Sequence, residues 1–294
     1  MMKKIALTFY RRLLKATAEF RSGHILSGKV EAGRLKQVIR QNRHALSLIN
    51  DWLPTGLIEQ SIFRYGVNPE VEPLLNLQLD DECTHADLLT YFGQASREPR
   101  KYLELGVSVS KTFWQILNTC SPCECWAFDI EEINPVLKQH FSGQSREEWL
   151  TPPGSIKKTP SSISRFIYPP NGNQIVYICA DIFDERAWEC LAGKNFNLVL
   201  SDALHTPQAL EFEWSQMTRL KIFNPVETVV MWDDLNGEMR DWFKARQSAI
   251  ASYLNVAPAN VGTLYLNGWL GKREFPHRFG LALKWPLVRD NHNA

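Results

Sequence analysis

The sequence predicts an α/β fold: a Rossmann-like, seven-stranded, mostly parallel sheet with an antiparallel closing strand, preceded by an N-terminal helical region. Three observations carry this. From residue 101 onward, near-continuous apolar runs alternate with stretches of helical periodicity. Two of the runs, FNLVLSD (196–202) and ETVVMWDD (227–234), stop abruptly on carboxylates. Near the end, GTLYLNGW (262–269) and RFGLALKW (278–285) follow each other closely, as a closing antiparallel pair does. Strands that are apolar throughout belong in a parallel sheet covered on both faces.

Taken in order, KYLELG (101–106) reads as the first strand and KTFWQILNT (111–119) as a helix. ECWAFD (124–129) is the second strand, leading to a helix around Glu131 to His140. QIVYICAD (174–181) is the third strand and FNLVLSD the fourth. The next helix has Thr206 as its N-cap and Pro207 at its first position. Leu210, Trp214, Met217 and Leu220 then mark one apolar stripe, the face of a core helix. ETVVMWDD is the fifth strand, and Met239 to Leu254 a helix.

Two stretches stand outside this alternation. Residues 1–99 read as a helical accessory region, with Ile5, Phe9, Leu13 and Phe20 on one helical face suited to self-association. Residues 142–173, rich in Pro and Ser, separate the second and third strands and read as a structureless insertion, either a lid or a surface loop. The first 44 residues carry eleven Lys or Arg against Glu19 and Glu31, while 45–99 are acidic. The two stretches are expected to pack on each other.

Hydrophobic residues make up 44% of the 294 and charged residues 22%, as in globular chains with a sizeable core. A net charge of +1 gives no electrostatic argument for a nucleic-acid partner. No run reaches the roughly 18 apolar residues that a membrane span needs. The apolar stretch of MMKKIALTFYRR is cut short by Arg11 and Arg12, too soon for a signal peptide, so a cytoplasmic protein is expected; an Arg-rich organellar leader is the alternative. CSPCEC, with Cys120, Cys123 and Cys125, lacks a fourth zinc ligand at sensible spacing, and reduced thiols are expected.

Acids at the C-terminal ends of parallel strands face the crevice where such sheets bind ligands. Glu104, Gly106, Ser108 and Ser110 form the turn after the first strand. Its glycine permits close backbone approach, and the following helix offers free N–H groups. Asp129, ending the second strand, stands where a carboxylate can accept from two ribose hydroxyls. Asp181, ending the third, stands where a polar group can meet an adenine edge. Singly, each such acid equally suits an Asx-turn or an N-cap. Asp202, Asp233 and Asp234 together repel one another unless a cation, a proton or a basic side chain intervenes. Their hard oxygens suit magnesium, calcium or manganese better than zinc. His205 follows three residues behind Asp202.

These pieces (YLELGVSVSKT, WAFDI, ICADIFD and FNLVLSDALH) resemble the class I S-adenosylmethionine-dependent methyltransferases over about residues 100–286. Asp202-Ala-Leu-His205 with Trp232-Asp233-Asp234 is similar to the metal-dependent O-methyltransferases of the catechol and macrocin type. The resemblance implies a cofactor domain over 100–294, with S-adenosylmethionine held by Glu104, Gly106, Ser108, Ser110, Asp129 and Asp181. It implies a divalent cation, magnesium by preference, on Asp202, Asp233 and Asp234. His205, with Asp202, would be the catalytic group acting on a small-molecule hydroxyl. Ser108 and Ser110 depart from the family's glycine loop. That departure keeps a second reading open: a catalytically silent cofactor-binding module working through its basic N-terminal helices.

Overall fold

A computed structural model of the chain describes residues 25–49, 83–266 and 277–286. Ile5, Phe9, Leu13 and Phe20 lie outside the described residues, as do 267–269 of the first closing run. The described helices ahead of the sheet are α1 (Ala32–Ser47) and α2 (His85–Ala95). After them come β1 (Arg100–Leu105), α3 (Lys111–Thr119), β2 (Cys123–Asp129), α4 (Pro135–Lys138), β3 (Ser142–Trp149) and β4 (Ser161–Tyr168). Next are β5 (Asn173–Cys179), α5 (Glu185–Glu189), β6 (Leu198–Ser201) and α6 (Pro207–Arg219). The chain closes with β7 (Thr228–Trp232), α7 (Gly237–Leu254), β8 (Val261–Leu266) and β9 (His277–Lys284).

The nine strands of the described residues form one sheet in the order β3-β4-β5-β2-β1-β6-β7-β9-β8. The five central strands, β5 to β7 in that order, run parallel, and β9 pairs antiparallel with β7. The architecture is therefore the expected mixed α/β sheet with a parallel centre and an antiparallel close. Period-two alternation sorts the strand side chains between two cores. Leu103, Leu105, Trp126 and Phe128 face the α5–α6–α7 layer, while Tyr102, Cys125 and Ala127 face the α1–α4 layer. The cysteines of CSPCEC are free buried thiols in that second core.

Two further strands extend the expected sheet of seven. Residues 142–173 are largely ordered as β3 and β4, which pair antiparallel with each other and then with β5. β4 buries Ile163, Phe166 and Tyr168, a strand signal that the surrounding Ser and Pro residues obscured. β3 is the edge strand. It is exposed along nearly its whole length and pairs Arg146 with Glu148 and Glu132, charges that protect a sheet edge from further pairing. The helix expected at 131–140 shrinks to Pro135–Lys138, whose first turn is capped by the Asn134 side chain.

Among the described residues the basic and acidic N-terminal stretches meet through a buried pair. Arg43 of α1 donates two hydrogen bonds to Asp87 of α2, at 3.1 and 2.9 Å. Asp87 also closes a capping box with Thr84 at the start of α2. The Trp114 indole N–H donates to the Ala45 carbonyl at 2.8 Å, fastening α1 to α3. Among the described residues no helix is long and apolar enough to cross a membrane.

Candidate functional site

The parallel strand order reverses between β1 and β6, and the turns after both meet there. Gly106 adopts φ +79°, and its N–H donates to the Phe128 carbonyl at 2.8 Å. A Cβ at this position would collide with the backbone of Asp202 and Ala203, so the first turn and the end of β6 touch only because residue 106 is glycine. Ser108 and Ser110 follow in left-handed conformations, at φ 48° and 67°. The Ser110 hydroxyl is buried without a hydrogen-bond partner.

Asp129 closes this turn from the neighbouring strand. Its Oδ2 accepts from the N–H groups of Val107 (2.6 Å) and Ser108 (2.8 Å), and its Oδ1 accepts from Glu131 N–H (2.9 Å). With two lone pairs per oxygen, one acceptor position remains, on Oδ1. Asp181 is engaged in a parallel way. Its Oδ2 accepts from the Ser155 hydroxyl (2.6 Å) and Ile156 N–H (3.1 Å), and its Oδ1 from Phe183 N–H (3.0 Å). These bonds hold its carboxyl below the usual range despite burial. They also fasten the β3–β4 connection over the sheet end. Lys157, buried on the same connection, donates to the Ile130 carbonyl and to Thr159 Oγ1.

Between these elements lies a cleft of about 470 Å3, in the size range of small-molecule sites. Gly106, Asp129 and Asp181 line it. So do Pro152 to Ile156 from the β3–β4 connection, Ile130 and Phe183, and Ala203 with Leu204 behind β6. Glu104, Ser108 and Ser110 are absent from its walls. Glu104 is buried beneath the turn and accepts from the Tyr102 hydroxyl at 2.7 Å, and burial pushes its carboxyl well above the ordinary range.

The acids of the last two parallel strands gather beside the cleft. The His205 ring lies between two of them: Nε2 is 3.0 Å from Asp202 Oδ1, and Nδ1 is 3.2 Å from Asp234 Oδ2. Hydrogen bonds to Asp202 and then Asp234 push the imidazole up to about 10. Asp202 and Asp233 approach closely enough to share a hydrogen bond, and burial raises both carboxyls. Asp234 sits at φ 48°, and its N–H donates to Asp233 Oδ1 at 2.7 Å. One layer deeper, Glu213 of α6 is fully buried and accepts from the Ser201 hydroxyl, while its second oxygen has no partner. Burial pushes Glu213 up to about 8.

Asp202, Asp233 and Asp234 carry the hard oxygen donors that suit a magnesium-type ion. As the side chains stand, the imidazole takes the space between Asp202 and Asp234. Among the described residues no group of three or more His, Cys, Asp or Glu is placed to hold a metal.

Glu213 was not singled out from the sequence, and the roof residues Pro152 to Ile156 only as part of the 142–173 insertion read as a lid or a surface loop. A signal existed for both. Glu213 interrupts the core-facing stripe of Leu210, Trp214 and Met217, where a charge has no reason to be unless it is used. The Pro152-Pro153-Gly154 turn stands where a chain must double back.

No family model matches the chain, and no curated protein matches it. Solved structures with a similar course of chain include the cofactor-bound protein Rv0187 from MTB, 13% identical, covering 88% of this chain and 93% of that one at a TM-score of 0.43. Another is the O-methyltransferase from Bacillus cereus in complex with SAH, 14% identical, covering 92% and 97% at 0.42. The N-methyltransferase NodS from Bradyrhizobium japonicum, also with S-adenosyl-L-homocysteine, is 10% identical, covering 76% and 97% at 0.39. None of these likenesses assigns a ligand or a residue role to this chain.

Proposed function

We propose that the chain is an S-adenosylmethionine-dependent O-methyltransferase acting on a hydroxyl of a small molecule. The observation that carries this reading is the cleft that runs from Gly106, Asp129 and Asp181 to Ala203 and Leu204. It joins the residues suited to an adenosyl group to the strand end that bears Asp202 and His205. In this reading the remaining lone pair of Asp129 accepts a ribose hydroxyl, and Ile130, Ile182 and Phe183 supply apolar contact for the base. The Pro152–Ile156 roof, tied down by Asp181, excludes water from the transferred methyl group. Methyl transfer needs the acceptor oxygen aligned behind the sulfonium methyl carbon, and alignment of this kind is what a shaped cleft contributes. His205, paired with Asp202 and Asp234 in this structure, would take the hydroxyl proton once one of its ring nitrogens is released. Asp202, Asp233 and Asp234 would hold a divalent ion, which when bound polarises the acceptor oxygen. We further propose that the protein is cytoplasmic and that residues 1–99 act as an accessory cover or self-association region.

A silent cofactor-binding module is favoured by one specific observation: the chain's own N–H groups and Ser155 already occupy most acceptor positions of Asp129 and Asp181. Calorimetry with S-adenosylmethionine, followed by mass spectrometry for S-adenosylhomocysteine in the presence of phenolic and sugar hydroxyl panels, separates the two. Binding with product formation supports the enzyme, binding without product across acceptors supports the module, and no binding ends both.

A further inference from the structure

β9 carries a charge at a core-facing position near its start. Along RFGLALKW, Gly280 and Ala282 face the α5–α7 layer, and a Cβ at Gly280 would collide with Phe243 and Leu235. Period two puts Arg278 on that same face, at the C-terminal edge of the parallel strands. A charge at the mouth of a core face is costly unless something uses it. Arg278 is half-buried, and Tyr265, its register partner on β8, holds it in place. The guanidinium lies over the Tyr265 ring at 5.0 Å, and Nε donates to the Tyr265 hydroxyl at 2.9 Å. Nη1 reaches the Leu235 carbonyl only at 3.4 Å, beyond the usual range. Both N–H groups of Nη2 and the second of Nη1 have no acceptor among the described residues.

We propose that Arg278 anchors an acidic group, a carboxylate or a phosphate-type oxyanion, on the hydroxyl compound that the site accepts. The inference rests on the methyltransferase reading given above and narrows its acceptor to a hydroxy acid. A planar guanidinium held by an aromatic ring and one hydrogen bond presents its remaining donors as a fork, which matches two oxygens of such a group. The position suits the role. Leu235 N–H donates to the Arg278 carbonyl at 3.2 Å, which ties Arg278 to the residue that follows Asp234. Neighbouring charges are spent elsewhere: Asp234 Oδ2 faces His205 at 3.2 Å, and Arg240 pairs with Asp241 at 2.9 Å. An acidic acceptor nearing Asp202, Asp233 and Asp234 meets like charge, so it binds there only if a cation offsets them. His205 is already held between two carboxylates, whereas Arg278 brings open donors to this edge.

The test is calorimetry of the full chain at fixed ionic strength, with and without S-adenosylmethionine, against matched pairs of probes. One pair is para-hydroxybenzoate and its methyl ester; the other is glycerol phosphate and glycerol. In wild type the acidic member of at least one pair should bind about tenfold to a hundredfold more tightly than its neutral twin. The pair that shows the preference separates a carboxylate from a phosphate. Arg278→Gln should abolish or invert that preference, and Arg278→Lys should keep only part of it, since an ammonium has the charge without the fork. Equal affinities within both pairs, or a preference unchanged in Arg278→Gln, overturn the proposal. The Nε NMR signal of Arg278 in wild type gives a readout that needs no variant to fold. It should move on adding the preferred acid, and a signal unmoved by either acid and by inorganic phosphate overturns the proposal as well. Acid preference without cofactor binding keeps the anchor and ends the methyltransferase reading. Methyl transfer to the neutral twins alone keeps that reading and ends the anchor.

Discussion

Replacing Glu213 with glutamine isolates the charge of one carboxyl. Glu213 is wholly buried in the core between α6 and the sheet, takes one hydrogen bond from Ser201, and has an unpartnered second oxygen. Burial raises it from 4.5 to about 8. A carboxyl raised in the folded state contributes stability that is fully present below its unfolded value and is lost as pH rises through its folded value. At about 1.36 kcal/mol per unit, the cost of burying Glu213 is close to zero at pH 4.5, about 3 kcal/mol at pH 7 and about 5 kcal/mol at pH 9. Glu213→Gln keeps a carbonyl oxygen for Ser201 and carries no charge at any pH. The variant should match wild type near pH 4.5 and gain about 3 kcal/mol at pH 7, on the order of 6–12 °C in melting temperature for a domain of this size. Urea unfolding at pH 5, 7 and 9 measures the divergence. A gain of equal size at all three would mean that packing, not charge, separates the proteins. A loss at pH 9 would refute the assignment of a costly buried carboxyl.

Four further outcomes follow from the same geometry. Gly106→Ala should destabilise by more than about 2 kcal/mol, because a left-handed alanine is strained and its methyl meets the Asp202 carbonyl; unchanged urea unfolding would refute the contact. Asp129→Ala should weaken S-adenosylmethionine by about 1.5–3 kcal/mol in titration calorimetry, the range for bonds to a charged group, and equal affinities would remove Asp129 from the cofactor site. Asp181→Ala should free Ser155 and Ile156 and speed limited proteolysis between Leu150 and Lys158 about tenfold or more, and an unchanged cleavage rate would show the roof to be held otherwise. The pairing of His205 with Asp202 and Asp234 should be intact below pH 6.5 and lost as pH rises through about 10; a ring NMR titration with its midpoint near 6.5 would contradict it.

The parallel centre of the sheet was legible because its strands are buried on both faces, and FNLVLSD or ETVVMWDD can be little else. The N-cap at Thr206 was equally plain, since it rests on local chemistry. β3 was illegible: SGQSREEW buries only Trp149, and an edge strand held by backbone pairing leaves no apolar pattern. At the site, strand-end position alone was enough to pick out Gly106, Asp129, Asp181 and Asp202. What each carboxylate touches was not legible. The partners of Asp181 come from residues 155 and 156 across an inserted hairpin, and Asp234 meets His205 across two strands. Side-chain pairing of this kind depends on register and loop path, which no local pattern encodes.

The distribution of backbone strain supports the same edge of the sheet as the working one. Of the six non-glycine residues at positive φ among the described residues, Asn255 caps the end of α7, and Asn195 and Lys221 stand in connections that do not line the cleft. The remaining three, Ser108, Ser110 and Asp234, all lie just past the C-terminal ends of β1 and β7, beside the clustered carboxylates. Neither serines nor an aspartate gain from that conformation by themselves, at roughly 1–2 kcal/mol each, so surrounding contacts must hold them there. For Ser108 one such contact is Asp129; for Asp234, Asp233 and the His205 ring are two. These contacts run through carboxylates at the C-terminal edge of the parallel sheet. The open acceptor position of Asp129 is on Oδ1, whereas Val107 and Ser108 are held by Oδ2, so a donor arriving from the cleft can bond to Asp129 while the strained 107–110 turn stays fastened.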